Sequence, residues 1–294
     1  MSILANPGRA VKILAFAASV PTALLSTATA SLAAAGRPVP GGIGMQEPVT
    51  PVGRDIEFFH NVILTPIIFI ISLFVLALII WVITHFNATK NPNPSRTTHN
   101  SLLEVAWTVL PVLVLVVIAV FSFPLLTKEL VLPKADITMK VTGHQWYWTY
   151  SYPADQGGGF DFDSNVKKDD ELKEGDLRLL SVDNEAVVPV GKIVRVIVTS
   201  TDVIHSFTVP SFGVRIDAVP GRANETWFRA DVEGIYYGQC SKLCGKDHAF
   251  MPIAFRVVSE AQYAAWLADA KKKFASSEQG SPALTQEAAL SAQQ

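Results

Sequence analysis

Both cysteines of this 294-residue chain fall in one stretch, CSKLCGKDHAFM at residues 240–251, with a histidine and a methionine close behind. Cys240, Cys244, His248 and Met251 are all metal-ligand types, and a further histidine, His205, opens the run HSFTVP upstream. Two thiolates, two imidazoles and a thioether make a soft set, which suits copper. Structural zinc closes a tetrahedron with two Cys and two His and has no need of the methionine. A disulfide, or a redox pair, is the plainer reading of two thiols four residues apart in an oxidising space. A mononuclear blue-copper site would take one Cys, two His and the Met, and would leave the second thiol idle. A dinuclear copper centre would use all five, with both thiolates bridging and one imidazole capping each metal.

The rest of the chain must position these groups, and its apolar content is uneven. The chain is 49% hydrophobic with a formal net charge of −2. That is far from the basic balance of a nucleic-acid binder, and no basic patch with interleaved aromatics is present. The run RAVKILAFAASVPTALLSTATASLAAA has a basic start, an apolar middle and small residues at Ala28 and Ala30. It reads as a secretory signal peptide within residues 1–36. The Pro- and Gly-rich residues 37–61 then read as a flexible external N-terminus.

Residues 62–126 hold two apolar runs, Val62–Phe86 and Val105–Leu126. About 20 helical residues cross a hydrocarbon core, so each is long enough to span a membrane. Both are apolar all round, which excludes half-buried surface helices. The loop between them carries Lys90 and Arg96 and no acid. The positive-inside rule places that loop in the cytoplasm and everything after the second span outside. With a signal peptide, this implies a bacterial inner-membrane protein with a periplasmic C-terminal domain. Glu104, at the start of the second span, reads from physics alone as an acid favoured by a helix N-terminus.

Residues 127–258 change texture. DITMKVTG, HQWYWTYSY, LRLLSVD, IVRVIVTS, HSFTVP, ETWFRAD, IYYGQC and IAFRVVS are short runs rich in β-branched and aromatic residues. They predict an all-β sandwich or barrel, with GGGFDFDSNVKKDDELKEGD as a polar surface insertion. In residues 259–294, Ser259 and Gln262 form a capping box opening an amphipathic helix, and the Ser-, Gln- and Ala-rich tail after Ala275 reads as disordered.

These features together resemble subunit II of haem–copper cytochrome c oxidases over about residues 50–270. The likeness rests on GHQWYWTYSY, DAVPGR and YYGQCSKLCGKDHAFMPI, preceded by the helical hairpin. It implies a cupredoxin-like barrel on a two-helix membrane anchor, and a dinuclear copper (CuA) centre. The implied ligands are His205, Cys240, Cys244, His248, Met251 and the main-chain carbonyl of Lys242. It further implies electron transfer from cytochrome c, entering at Trp146, to haem in subunit I, where oxygen is reduced and protons are pumped. Asp163, Asp183 and Asp202 match external acids that meet a basic cytochrome, although Ser151 stands where relatives often carry an acid. Trp146 and Trp148 are expected to face one way from a strand and Tyr147 the other. Glu104 matches a position ascribed to a proton-pathway entrance.

Lys242 stands where relatives commonly place a glutamate that binds magnesium at the border with subunit I. An ammonium has three donors and no acceptor, so it cannot bind that cation. Lys242 is expected instead to pair with an acid of the partner subunit. Quinol-oxidase relatives lack the thiols, and nitrous oxide reductases carry a large propeller that is missing from this sequence. The other reading is a membrane-anchored copper carrier or store, which would favour labile, Met-rich sites; this chain has four Met in all.

Overall fold

The computed structural model describes residues 36–274. Residues 1–35 of the expected signal peptide (1–36) and the tail from Ala275 lie outside the described residues. Two long helices come first: α1 over Pro51–His85 and α2 over Ser101–Leu130. No residue of the most apolar stretch of either is buried within the chain, as befits side chains that face lipid or other subunits. Within α1, Phe59–Leu64 widens to a π-helical segment. At the end of the hairpin nearest the sandwich domain, Lys128 of α2 pairs with Asp55 of α1.

The expectation that residues 37–61 are flexible is corrected from Val49 onward. Helix α1 starts at Pro51, where Thr50 caps it by accepting from the Gly53 N–H at 2.9 Å. Proline at a first helical position costs nothing, since its missing N–H would have had no partner there. Val49 and Thr50 are buried against the outer domain. The Val49 N–H donates to Ser211 O, and Thr50 Oγ1 donates to Phe212 O at 2.7 Å. Further upstream, the Tyr237 N–H donates to Gly36 O at 2.7 Å. Composition reported the prolines and glycines of this arm but not the carbonyls waiting on the domain surface.

The outer domain is a sandwich of two five-stranded sheets. One runs β3-β2-β1-β5-β8, the other β4-β10-β9-β6-β7. In the first, β1 (Ile137–His144) pairs antiparallel with β2 (Tyr147–Tyr152) and parallel with β5 (Val194–Ser200). Strands β3 (Phe160–Ser164) and β8 (Asn224–Phe228) form its edges. In the second, β9 (Gly234–Cys240) lies between β6 (His205–Val209) and β10 (Pro252–Val258), flanked by β7 (Val214–Ala218) and β4 (Ala186–Pro189). Alternate residues of each strand meet in an aromatic core that includes Trp148, Tyr150, Phe207, Phe212, Phe228 and Phe255. Helix α3 (Glu260–Phe274) opens on the expected capping box, with Gln262 N donating to Ser259 Oγ and Ser259 N to Gln262 Oε1. Its Trp266 and Phe274 pack on Phe160 and Phe162 of β3.

Several local expectations change. LRLLSVD is not a strand; Leu177–Leu180 turns back on itself, with the Ser181 N–H donating to Leu177 O. Leu177 and Leu180 cover a small cluster of Val182, Tyr237 and Ala254. Conversely, β3 lies inside the supposed polar insertion, where Phe-Asp alternation buries Phe160 and Phe162 and leaves the acids outside. Trp146 is not in a strand either. Gln145 and Trp146 form the turn between β1 and β2, so alternation does not reach Trp146; Trp148 is fully buried and Trp146 is half-exposed.

Gly213 joins anchor to domain. It has φ +67°, and a Cβ there would come within 2.8 Å of Gly53 Cα in α1. Gly213→Ala should destabilise the chain by about 1–3 kcal/mol through that overpacking in addition to backbone strain. Thermal unfolding of the detergent-solubilised chain checks this against Gly221→Ala, a positive-φ glycine with open space around it. Equal losses in the two variants would show that the anchor contact contributes nothing.

Candidate metal centre

Three neighbouring chain segments bring the sulfur and nitrogen atoms together. Cys240 ends β9, directly opposite Phe207 of β6. His205 begins β6, one turn of pleat away. The loop after β9 carries Lys242 and Cys244, makes a short 3-10 turn at His248–Phe250, and delivers Met251 to the start of β10. The loop is fixed at its start by Ser241 N–H donating to Ser206 O at 3.0 Å.

The two thiols are free and buried, with their Sγ atoms 3.9 Å apart. A disulfide requires about 2.05 Å, so the pair is juxtaposed without being bonded. His205 Nδ1 lies 3.9 Å from Cys240 Sγ, and His248 Nδ1 lies 3.4 Å from Cys244 Sγ. Met251 Sδ is 3.5 Å from Cys244 Sγ, and Lys242 O is 3.2 Å from Cys240 Sγ. The ligand atoms of His205, Cys240 and Cys244 all fall within 4.8 Å of one another. His205 and Met251 are almost wholly buried, while His248 is half-exposed. Every ligand expected from the sequence therefore converges, one imidazole flanking each thiol.

Electrostatics show what the pair lacks. Burial disfavours a charged Cys240, but hydrogen bonds from His205 and from nearby backbone outweigh it and hold this thiol below its usual pKa. Burial raises Cys244, and the charge on Cys240 raises it further. One thiolate thus suppresses the other, and both can ionise together only beside a cation. Thiolates, imidazoles and a thioether on a dry floor are the donors that copper prefers, so the residues present fit copper.

A second layer holds the ligands. His205 Nε2 donates to Asp202 Oδ1 at 2.9 Å, which leaves Nδ1 facing Cys240. Asp202 Oδ1 also accepts from Val203 N–H, and Oδ2 accepts from Gln145 N–H at 2.7 Å. Asp202, expected as a docking acid, is exposed at the surface and also has both oxygens engaged in holding the ligand shell. Trp148 Nε1 donates to Met251 O at 3.2 Å. From the turn above, Gln145 Nε2 and Trp146 Nε1 both donate to Cys244 O, at 2.8 and 3.3 Å. Sequence reasoning missed Asp202's role, Gln145 and Trp148. The three-residue spacing of Asp202 and His205 was the one signal available.

The remaining expected residues lie apart from the sulfur cluster. Asp163 is exposed on β3 and accepts from Thr149 Oγ1 at 2.6 Å. Asp183 is exposed and folds its oxygens onto Asn165 and Asn184. Lys242 turns its ammonium toward Asp217 of this same chain, 3.5 Å away, in an exposed pair. At the opposite end of the molecule, Glu104 Oε1 accepts from the Asn100 N–H, and Asn100 Oδ1 accepts from Leu103 N–H. Glu104 thus helps cap α2.

Asp202→Ala should lower copper affinity by about 10–100-fold, the usual cost of removing a ligand's outer partner. Competition with a chelator of known affinity reads this directly, and unchanged affinity would show that burial alone orients His205.

Comparison with known proteins agrees with this geometry. Residues 137–258 match the family model described as cytochrome C oxidase subunit II, periplasmic domain, and residues 38–125 match the transmembrane domain of the same subunit. A probable cytochrome c oxidase subunit 2 of Rickettsia bellii is 48% identical over 83% of this chain and 90% of its own length. Cytochrome c oxidase subunit 2 of Cereibacter sphaeroides is 47% identical over 82% of this chain and 84% of its own. The crystal structure of the periplasmic domain of subunit II of cytochrome oxidase (CoxB) of Bradyrhizobium japonicum is 60% identical. It covers 49% of this chain and 99% of that one, with a TM-score of 0.46. With both family models and relatives near half identity spanning most of the sequence, the chain belongs to the cytochrome c oxidase subunit II family.

Proposed function

We propose that the outer domain holds a dinuclear copper centre which takes single electrons from a basic c-type cytochrome and passes them to haem in subunit I. The observation that carries this reading is the pair of unbonded, buried thiols 3.9 Å apart, with an imidazole at each end. When bound, a dithiolate-bridged copper pair supplies a one-electron store shared between two metals. Oxygen reduction belongs to subunit I, and no nucleophile or acid–base pair for it is needed here.

The protein's own contribution is position and dryness. Cys240 and Cys244 present their sulfurs to one space, and His205 and His248 close its two ends. Met251 and the Lys242 carbonyl stand as weaker outer donors, since a thioether binds less strongly than a thiolate. Cys240 is 6% exposed, Cys244 5% and Met251 1%, which keeps bulk water from rearranging around the site. Such burial disfavours the copper-carrier reading, which needs a labile and accessible site.

Trp146 supports the reading of where electrons enter. Its indole is half-buried at the domain surface and donates to the carbonyl of Cys244, so one hydrogen bond separates the ring from a ligand residue. Asp163, Asp183 and Asp202 are the exposed carboxylates that would steer a basic partner, and their effect should fade with salt. Two apolar helices with basic residues in their connecting loop support placement in a bacterial inner membrane, the sandwich lying in the periplasm. Glu104 would then face the cytoplasm, which suits proton uptake. The Lys242 ammonium offers no acceptor to a divalent cation at the border with subunit I.

Cys240→Ser or Cys244→Ser should abolish the shared-valence electron spin signal, because each thiolate would be shared by both metals; an unaltered signal with full copper content would refute the dinuclear assignment. Met251→Leu should shift the potential while leaving occupancy intact. Trp146→Phe should slow reduction by cytochrome c without changing the copper spectrum. Rapid-mixing kinetics paired with optical spectra check this, and a normal rate in Trp146→Phe would move the site of electron arrival elsewhere.

A further inference from the structure

Gln145 is exposed, lies in a two-residue turn, and is not among the ligands or the docking acids. Yet it is bonded to both halves of the ligand set. Its side-chain Nε2 donates to Cys244 O at 2.8 Å, and its backbone N–H donates to Asp202 Oδ2 at 2.7 Å. Asp202 in turn accepts from His205. Only the amide nitrogen of the side chain can face Cys244 O, because a carbonyl accepts and cannot donate.

The surroundings are shaped to this contact. Gly245 follows Cys244 with φ +131°, a conformation that side chains rarely adopt. A Cβ at Gly245 would stand 2.9 Å from the Trp146 ring and 3.2 Å from Gln145 Nε2. The bare backbone of Gly245 is what lets the turn lie flat on the Cys244–Gly245 peptide. Trp146 alone is held less firmly: its own bond to Cys244 O is longer, at 3.3 Å, and its ring is half-exposed.

We propose that Gln145 is a positioning residue for electron transfer into the metal centre: its amide seats the Trp146 turn on the Cys244 peptide while its backbone N–H fixes Asp202 behind His205. One turn from the β1–β2 sheet thereby sets the register between the surface ring and ligands carried by the other sheet. This rests on the reading of Trp146 as the point where electrons enter. The side-chain arm can be removed separately, since mutation leaves the backbone N–H and its bond to Asp202 in place.

The test uses the whole oxidase with bound cytochrome c at low ionic strength, following the first-order electron transfer within the preformed complex. Gln145→Met keeps the length of the side chain and removes the donor. Copper content should be unchanged and transfer slowed by about fivefold, the population shift expected when one net hydrogen bond no longer seats the turn. Gln145→Glu should be slow when ionised and recover as acidification protonates the carboxyl, which can then donate again. Gln145→Met should show no such recovery. Electron spin resonance of the two variants should show the same shared-valence pattern, with hyperfine values altered slightly through the Cys244 peptide. A wild-type rate in Gln145→Met alongside slowed transfer in Trp146→Phe would overturn the proposal while sparing the reading of Trp146. Normal transfer in Trp146→Phe would remove that reading and the proposal with it. Loss of copper from Gln145→Met would also overturn it, by making the side chain part of the centre's own support.

Discussion

Two sulfur atoms held side by side away from water are the constraint around which this domain is arranged. Cys240 and Cys244 approach to 3.9 Å with no bond between them, in a pocket where a charge on Cys240 raises the proton affinity of Cys244. A site of that kind is costly as an empty structure, because a buried like-charged pair cannot ionise together. A soft cation relieves the conflict at once: it is the partner that both thiolates lack. Burial, which makes the bare pair unfavourable, then becomes useful, because it also limits solvent rearrangement when an electron arrives.

The sandwich meets this constraint by dividing the work between its sheets. The second sheet supplies every sulfur and both imidazoles, from the ends of β6 and β9 and the loop that leads into β10. The first sheet supplies no ligand, but its strand β2 sends Trp148 across to the Met251 carbonyl, and its β1–β2 turn reaches the Cys244 carbonyl. Ligands and their supports therefore come from opposite layers and share the aromatic core, where Trp148 packs edge-on to both His205 and Phe207. The anchor is joined to the same core through Thr50 and Gly53, which lie against the Phe212–Gly213 corner.

How far the sequence revealed this depended on whether a residue's role was local. The ligands were legible because chemistry restricts which side chains bind soft metals, and five of them fall within one short stretch and one strand start. The two spans were legible because a hydrocarbon core leaves no alternative to a long apolar helix. The support shell was not legible, since Asp202, Gln145 and Trp148 act through contacts made only after the sheets pack. Asp202 looked like any surface acid until its distance to His205 was known. The same blindness placed Trp146 in a strand: alternation assumes regular pairing, and the β1–β2 turn interrupts it there. β3 was hidden in a charged insertion because its acids point outward and only Phe160 and Phe162 face the core. The whole arm before α1 was read as flexible from its prolines and glycines, although the backbone of Val49 has fixed partners on the domain.

The central claim is that both thiolates bridge a single pair of metals. Copper titration of the purified outer domain, followed by metal analysis and electron spin resonance of the one-electron-oxidised form, tests it most directly. The account predicts two coppers per chain and a hyperfine pattern from one unpaired electron shared equally by two copper nuclei. One copper per chain with the pattern of a single nucleus, or preferential filling by one spectroscopically silent zinc ion, would contradict it.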